Sequence, residues 1–309
     1  MKTIRIATLA ATLATLTLAA CTNEDQPTPA DGTVQITATI AGATTRAPQL
    51  GTDGSGTFDD DDIWGLYTFT GSATSPTYSK ENIQYYADHR TTLRWDNLST
   101  TEPVTFAAHY PRQTTVTDPK VYNFTPQGTT FADDDLLLAT DTKSNGGTVI
   151  LTFRHLMHRL IINLQKGTGM ESADLSGALI QTIDQISAAS MRATIPVNLL
   201  TGELGVPMYD ANYSSTGPDY DMIVVPQDLT PGADWLKITV GTDIWRFPVP
   251  ADLDTTQPGN QTALESGKSL TLNLTLKKTA GGNNEVDMAD ATISQWGDQG
   301  TINNNVNAQ

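Results

Sequence analysis

TVILTFRHLMHRLIINLQKG, residues 148–167, reads as two β-strands joined end to end. Val149, Leu151 and Phe153 share one parity, and Leu160, Ile162 and Leu164 share the other. Side chains along a strand point alternately to its two faces, so each half presents one buried face, and the inward set changes sides between them. A bulge or a helical turn within residues 154–159 is the expected means.

The same alternation recurs outward from this stretch in both directions. SLTLNLTLKK (269–278) is the cleanest case, with Leu270, Leu272, Leu274 and Leu276 inward and Thr or Asn between them. TVQITATI (33–40) sets Val34, Ile36, Ala38 and Ile40 against Gln35, Thr37 and Thr39. IWGLYTFTG (63–71), PVTFAAHYP (103–111), SMRATIPVNLLTGELG (190–205), DYDMIVVPQDL (219–229) and ATISQW (291–296) read as further strands. WLKITVGTDIWRFPV (235–249) reads as a hairpin that turns near residues 241–243. Helical periodicity is scarce, and residues 171–187 have room for only a turn or two. Many short strands, read as antiparallel and punctuated by Gly, Pro, Asn and Asp, imply an all-β chain of two stacked sandwiches rather than a parallel sheet. The expected division falls near residues 166–172, giving domains 33–168 and 169–309.

The first residues carry an address. Lys2 and Arg5 precede an apolar run over residues 6–20, too short to span a bilayer as a stable helix, that ends in Leu18-Ala19-Ala20-Cys21. This resembles a bacterial lipobox. It implies a signal peptide over residues 1–20, lipidation of Cys21, and an outer-membrane lipoprotein precursor. Residues 21–32 are polar with two prolines and read as a tether. Cys21 is the only cysteine in 309 residues, so no intrachain disulfide is available and packing must hold the fold. A net charge of −16 argues against nucleic acid or anionic lipid as partners.

Catalytic signatures are missing. The sequence has no G-x-S-x-G, H-E-x-x-H, Walker loop or C-x-x-C. Of four histidines, His155 and His158 are closest, but their spacing on a strand does not place both on one face, and they read as polar residues at the turn. The Asp59–Asp62 and Asp133–Asp135 runs lack the spacing of a Ca²⁺ loop and read as solvated loop charge. Trp64, Trp95, Trp235, Trp245 and Trp296 could stack on sugars if exposed, although their strand contexts favour the core. No enzyme activity, cofactor or metal is expected.

Taken in order, VQITATIAGATTRA (34–47), DDIWGLY (61–67), FAAHYP (106–111), DLLLA (135–139), LTFRHLMHRLIINL (151–164), IVVPQ (223–227), LTLNLTL (270–276) and ATISQW resemble the Mfa-like fimbrillin family of Bacteroidales. The resemblance implies two transthyretin-like Greek-key sandwiches in tandem, exported as a lipoprotein and built into surface fimbriae by contact with other fimbrial subunits. It also implies that an Arg-specific surface protease cuts between Arg46 and Ala47. The cut would remove residues 33–46, including the Val34–Ile36–Ala38–Ile40 plug strand, and open a groove for a strand from another subunit. Asp254-Thr255-Thr256 matches a loose O-glycosylation pattern of the phylum, with Thr255 as acceptor. The rival expectation is a surface glycan-binding lipoprotein that keeps its lipid anchor and exposes a tryptophan platform.

Overall fold

The computed structural model describes residues 32–41, 58–127, 131–171, 173, 175–182, 191–254, 259 and 261–295. In chain order the strands of the first half are β1 (Ile36–Ile40), β2 (Ile63–Ser72), β3 (Ser75–Tyr86), β4 (Val104–Tyr110), β5 (Tyr122–Phe124), β6 (Leu137–Lys143) and β7 (Val149–His155). Next come β8 (His158–Lys166), β9 (Leu179–Thr182), β10 (Arg192–Val197), β11 (Met208–Asp210), β12 (Ser214–Thr216) and β13 (Asp219–Val224). The last are β14 (Gln227–Asp228), β15 (Asp234–Val240), β16 (Asp243–Pro248), β17 (Ala263–Leu264), β18 (Lys268–Lys278) and β19 (Asn284–Gln295). The protein is all-β, with helical turns only at Trp95–Asn97, Phe131–Asp134 and Leu175–Gly177 among the described residues.

Five sheets organise these strands, and the largest, six-stranded, runs β1-β7-β6-β4-β2-β3. β4 and the start of β6, residues 137–139, are buried on both faces. Val104, Phe106, Ala108, Leu137 and Ala139 enter one core, and Ala107 and Leu138 enter another. That double burial explains why these strands read as near-continuous apolar runs rather than strict alternation. In β2 a register shift against β3 lies between Leu66 and Thr68. β2 keeps unbroken register with β4, so simple alternation sends Trp64 and Leu66 to the first core and Tyr67 and Phe69 to the second.

The second half is a sandwich of β13-β8-β18-β19 over β12-β9-β15-β16. Its core interleaves Leu160, Ile162, Leu270, Leu272 and Leu274 with Ile180, Trp235, Ile238, Trp245 and Phe247. The hairpin expected at residues 235–249 is β15 and β16, paired from Asp234↔Pro248 to Val240↔Asp243.

Two expectations need correction. The parity change in residues 154–159 is neither a bulge nor a helical turn. β7 belongs to the first sheet and β8 to the second sandwich, so the two halves of 148–167 never share a face. The chain crosses between sheets at Leu156 and Met157, both fully buried. The change of sheet therefore comes well before the expected boundary at 168/169. Nor are the strands all antiparallel, because β1 runs parallel to β7 and β8 parallel to β18. Alternation reports which face is buried and is blind to the direction of the neighbour.

Candidate functional site

The site is built on β7, which pairs with β6 only at Leu137↔His155 and Leu138↔Arg154. Before that point Asp141 takes over. Its Oδ2 accepts the Ile150 N–H at 2.7 Å, and its Oδ1 accepts the Thr142 N–H at 2.8 Å. Residues 149–153 of β7 are left with a single ladder partner, β1, in the register Ile36↔Val149 to Ile40↔Phe153.

The segment 32–41 is held along its whole length. On the β7 side Val149 N–H donates to Gln35 O at 2.8 Å and Ala41 N–H to Phe153 O at 2.7 Å. At its start the neighbour changes. Val34 N–H donates to Leu93 O at 2.9 Å and Trp95 N–H to Gly32 O at 3.0 Å, around an antiparallel bridge between Thr33 and Arg94. Val34, Ile36 and Ile40 are 4, 6 and 3% exposed and enter the core formed by Trp64, Leu66, Phe106, Leu151 and Phe153, while Ala38 packs against it half-buried. Gln35, Thr37 and Thr39 face solvent. The edge strand thus fills an apolar groove whose walls are β7 on one side and residues 93–95 on the other.

The chain returns to the same place after residues 42–57. Phe58 sets its ring edge-on to Trp64 at 5.0 Å, Tyr110 at 5.3 Å and Phe153 at 4.7 Å. The aspartate run that follows is structural. Asp62 Oδ2 accepts the Asp59 N–H at 2.7 Å, its Oδ1 accepts the Tyr110 hydroxyl at 2.9 Å, and Asp61 pairs with Arg90, whose guanidinium lies 3.9 Å from the Tyr86 ring centre.

Other predicted residues are placed as follows. Trp64, Trp95, Trp235 and Trp245 are at most 2% exposed, which removes four of the five tryptophans from any sugar platform. The second aspartate run departs from the solvated reading: Asp134 and Asp135 are 4 and 1% exposed. Asp135 Oδ2 stands 2.7 Å from His155 Nδ1, and burial pushes its carboxyl up. His158 is fully buried with Nδ1 at 2.8 Å from the Glu265 carbonyl, and burial pulls it down to about 4. Residues far apart in the chain make these pairs, so strand alternation carried no signal for them. No group of three or more potential metal ligands gathers among the described residues. Cys21, Arg46, Ala47, Thr255 and Trp296 lie outside the described residues.

A parallel edge strand thus closes one side of an apolar core in an all-β protein. The sequence matches the fimbrillin-like family over residues 45–296, and the chain belongs to that family. It is accordingly a fimbrial-type protein of the cell surface. No match is found among curated proteins. Among solved structures, a candidate cell adhesion protein from Bacteroides uniformis superposes with a TM-score of 0.62 at 19% identity, over 86% of this chain and 100% of that one. Another, from Bacteroides ovatus, gives 0.58 at 20% identity, over 88% and 98%. At such identities the likeness is one of fold.

Proposed function

We propose that the chain is a precursor subunit of cell-surface fimbriae, exported as a lipoprotein on Cys21 and activated by an Arg-specific surface protease that cuts between Arg46 and Ala47. The cut releases β1 together with the lipid, and a strand from another fimbrial subunit takes its place. The observation that carries this reading is the position of β1. It is an edge strand, and it is the only ladder partner of residues 149–153 among the described residues.

Losing it exposes both kinds of group that a new strand would satisfy. Burying Val34, Ile36 and Ile40 at about 1.5–3 kcal/mol each leaves roughly 5–9 kcal/mol for a donor to recover. The ladder bonds to β7 add about 0.5–1.5 kcal/mol each. β-augmentation would recover both contributions together. While β1 is in place the edge is paired, which blocks premature association. The rival, a lipid-anchored glycan binder, asks for an exposed aromatic platform, and the four described tryptophans are core residues.

The test is to incubate the purified precursor with an Arg-specific protease, beside an Arg46→Ala control. The proposal expects one cut after Arg46, then polymers visible by electron microscopy, and neither event in the control. A resistant Arg46, or a cleaved product that stays monomeric, overturns it.

A further inference from the structure

A protease that cuts after arginine must close a pocket on the guanidinium and draw the backbone around it into an extended line. Seven arginines lie among the described residues, and the side chain of each is engaged. Arg154, Arg159, Arg192 and Arg246 sit on strands, where the ladder already holds the backbone. Their guanidinium groups meet, in turn, the Thr201 and Gly202 carbonyls, Asp221, Asp210 and Asp234. Arg94 meets Asp96 at 3.3 Å, and Arg112 donates to the Asn82 carbonyl at 3.0 Å. Arg90 has no strand to protect it. It follows the turn after β3, with its side chain 46% exposed, and there the contacts gather. Its guanidinium pairs with Asp61, lies 3.1 Å from Asp88, donates to the Asp60 carbonyl at 3.2 Å and stands 3.9 Å from the Tyr86 ring centre. Its backbone N–H donates to Asp88 Oδ1 at 3.0 Å. Lysines are left freer. The side chains of Lys80, Lys120, Lys166 and Lys237 make no hydrogen bond or ion pair among the described residues, and Lys120 is exposed in the loop before β5.

We propose that these contacts withhold the folded body from the Arg-specific protease that activates the precursor, so that Arg46 is its one productive site, and that Asp61, Asp88 and Tyr86 decide this at Arg90. The inference rests on the proposed function, which supplies the protease. The planar fork of arginine finds partners more readily than the point charge of lysine, so the count alone decides little. Position decides. The arginine on irregular backbone carries two carboxylates, a carbonyl and a ring, whereas the lysine in the matching situation, Lys120, carries nothing. A cut after Arg90 would also damage the assembly site. Arg90 stands three residues before Leu93, whose carbonyl accepts the Val34 N–H at 2.9 Å, so the break would loosen the second wall of the groove.

Limited digestion of the Arg46→Ala protein, read by intact mass, tests this apart from activation. An Arg-specific protease should leave that body whole, and a Lys-specific protease should cut it after Lys120. Adding Asp61→Ala with Asp88→Ala should speed cutting after Arg90 at least about tenfold, the combined effect of losing exposed ion pairs and disturbing a cation–π contact. Arg90→Lys separates side chain from backbone. It removes the fork and keeps the loop, so the Lys-specific protease should cut after position 90. Where the double variant melts early, Arg90→Lys decides alone. Resistance of these variants, or a body that withstands both proteases alike, means that the fold protects without the contacts and overturns the proposal. Cutting of the Arg46→Ala body at several arginines overturns it too. Resistance of Arg46 in the wild-type protein overturns the parent reading instead, and is seen in a separate sample.

Discussion

The ring of Phe58 stands edge-on to the ring of Phe153 at 4.7 Å, and the backbone carbonyl of Phe153 also receives the Ala41 N–H at 2.7 Å. One residue of β7 therefore anchors the chain on both sides of residues 42–57. The described chain before and after residues 42–57 thus meets the core at the same place. Under the proposed function, cleavage after Arg46 would separate β1 from the Phe58 anchor.

Phe58→Ala should accordingly lower stability by about 2 kcal/mol. Its ring is only partly buried, so the loss falls below the ~3–5 kcal/mol of a fully buried phenylalanine, but three edge-on aromatic contacts go with it. Urea denaturation of the uncleaved protein measures it. An unchanged midpoint would mean that Phe58 does not anchor the re-entry.

Two buried histidines set an acid limit. His109 Nε2 accepts the Gln113 N–H at 3.1 Å, and burial holds its pKa down at about 3. His158 offers only a buried Nε2 to a proton, and burial holds it at about 4. Both lie below the unfolded value near 6.5, so the unfolded chain binds more protons as acid is added. Their contribution is fully present above about pH 6.5 and is lost as pH falls toward pH 3–4. Between pH 6.5 and 5 each should cost about 2 kcal/mol. Urea midpoints across that range should fall steeply, and His109→Gln should be less steep than wild type.

The parts of the fold legible in the sequence were those governed by one-sided burial. Leu270, Leu272, Leu274 and Leu276 are all fully buried, and the 33–40 alternation matches the burial of β1 position by position, with Ala38 only half-buried. β3 escaped because SPTYSKENIQYY holds one side chain in the core, Tyr85, and edge strands with polar faces have no period to detect. The crossing at Leu156 and Met157 was misread because a parity flip inside one strand and a change of sheet look alike in one dimension. For the groove, the apolar side of β1 was visible. Its parallel partner and the Leu93–Trp95 wall were not, because they come from segments distant in sequence.

Gly65 sits where a side chain cannot. A Cβ there would fall 2.2 Å from His109 Cε1 and 2.5 Å from Asn82 Oδ1, in the centre of β2. His109 is fully buried and cannot swing away. Gly65→Ala should lose about 1–3 kcal/mol by overpacking, although alanine favours neither helix nor strand enough to matter here. The double variant Gly65→Ala, His109→Ala should recover part of that loss, and thermal unfolding of the pair distinguishes a clash from a backbone effect.

Asp135 and His155 are each 2% exposed at the side chain, with Asp135 Oδ2 2.7 Å from His155 Nδ1. Removing one partner takes a hydrogen bond from the other in a place shut off from water, so Asp135→Leu alone should cost about 3–5 kcal/mol. Asp135→Leu with His155→Leu should cost less than the single change, since both partners of the hydrogen bond are then removed together. Chemical denaturation of the two variants decides. Equal losses would mean that the pair acts through shape alone.

A fragment ending at residue 168 should fail to fold, although the expected sandwich boundary falls there. The core between the halves draws Tyr67, Phe69, Ala107 and Leu138 from before that point, and Ile195, Val197, Leu199, Leu200, Ile223 and Val225 from after it. β10 also returns to pair with β5, Ile195 opposite Phe124 and Val197 opposite Tyr122. Cutting at 168 removes this cover and strips β8 of both its neighbours, β13 and β18. Six lost core side chains at roughly 1.5–3 kcal/mol each exceed the ~5–15 kcal/mol by which domains are ordinarily stable, or nearly do. Expression of residues 32–168 should give aggregate or a chain without a cooperative melting transition, whereas residues 32–295 should melt cooperatively. A folded, monomeric 32–168 fragment would show that the first sheet closes its own core and that β10 is a passenger on it.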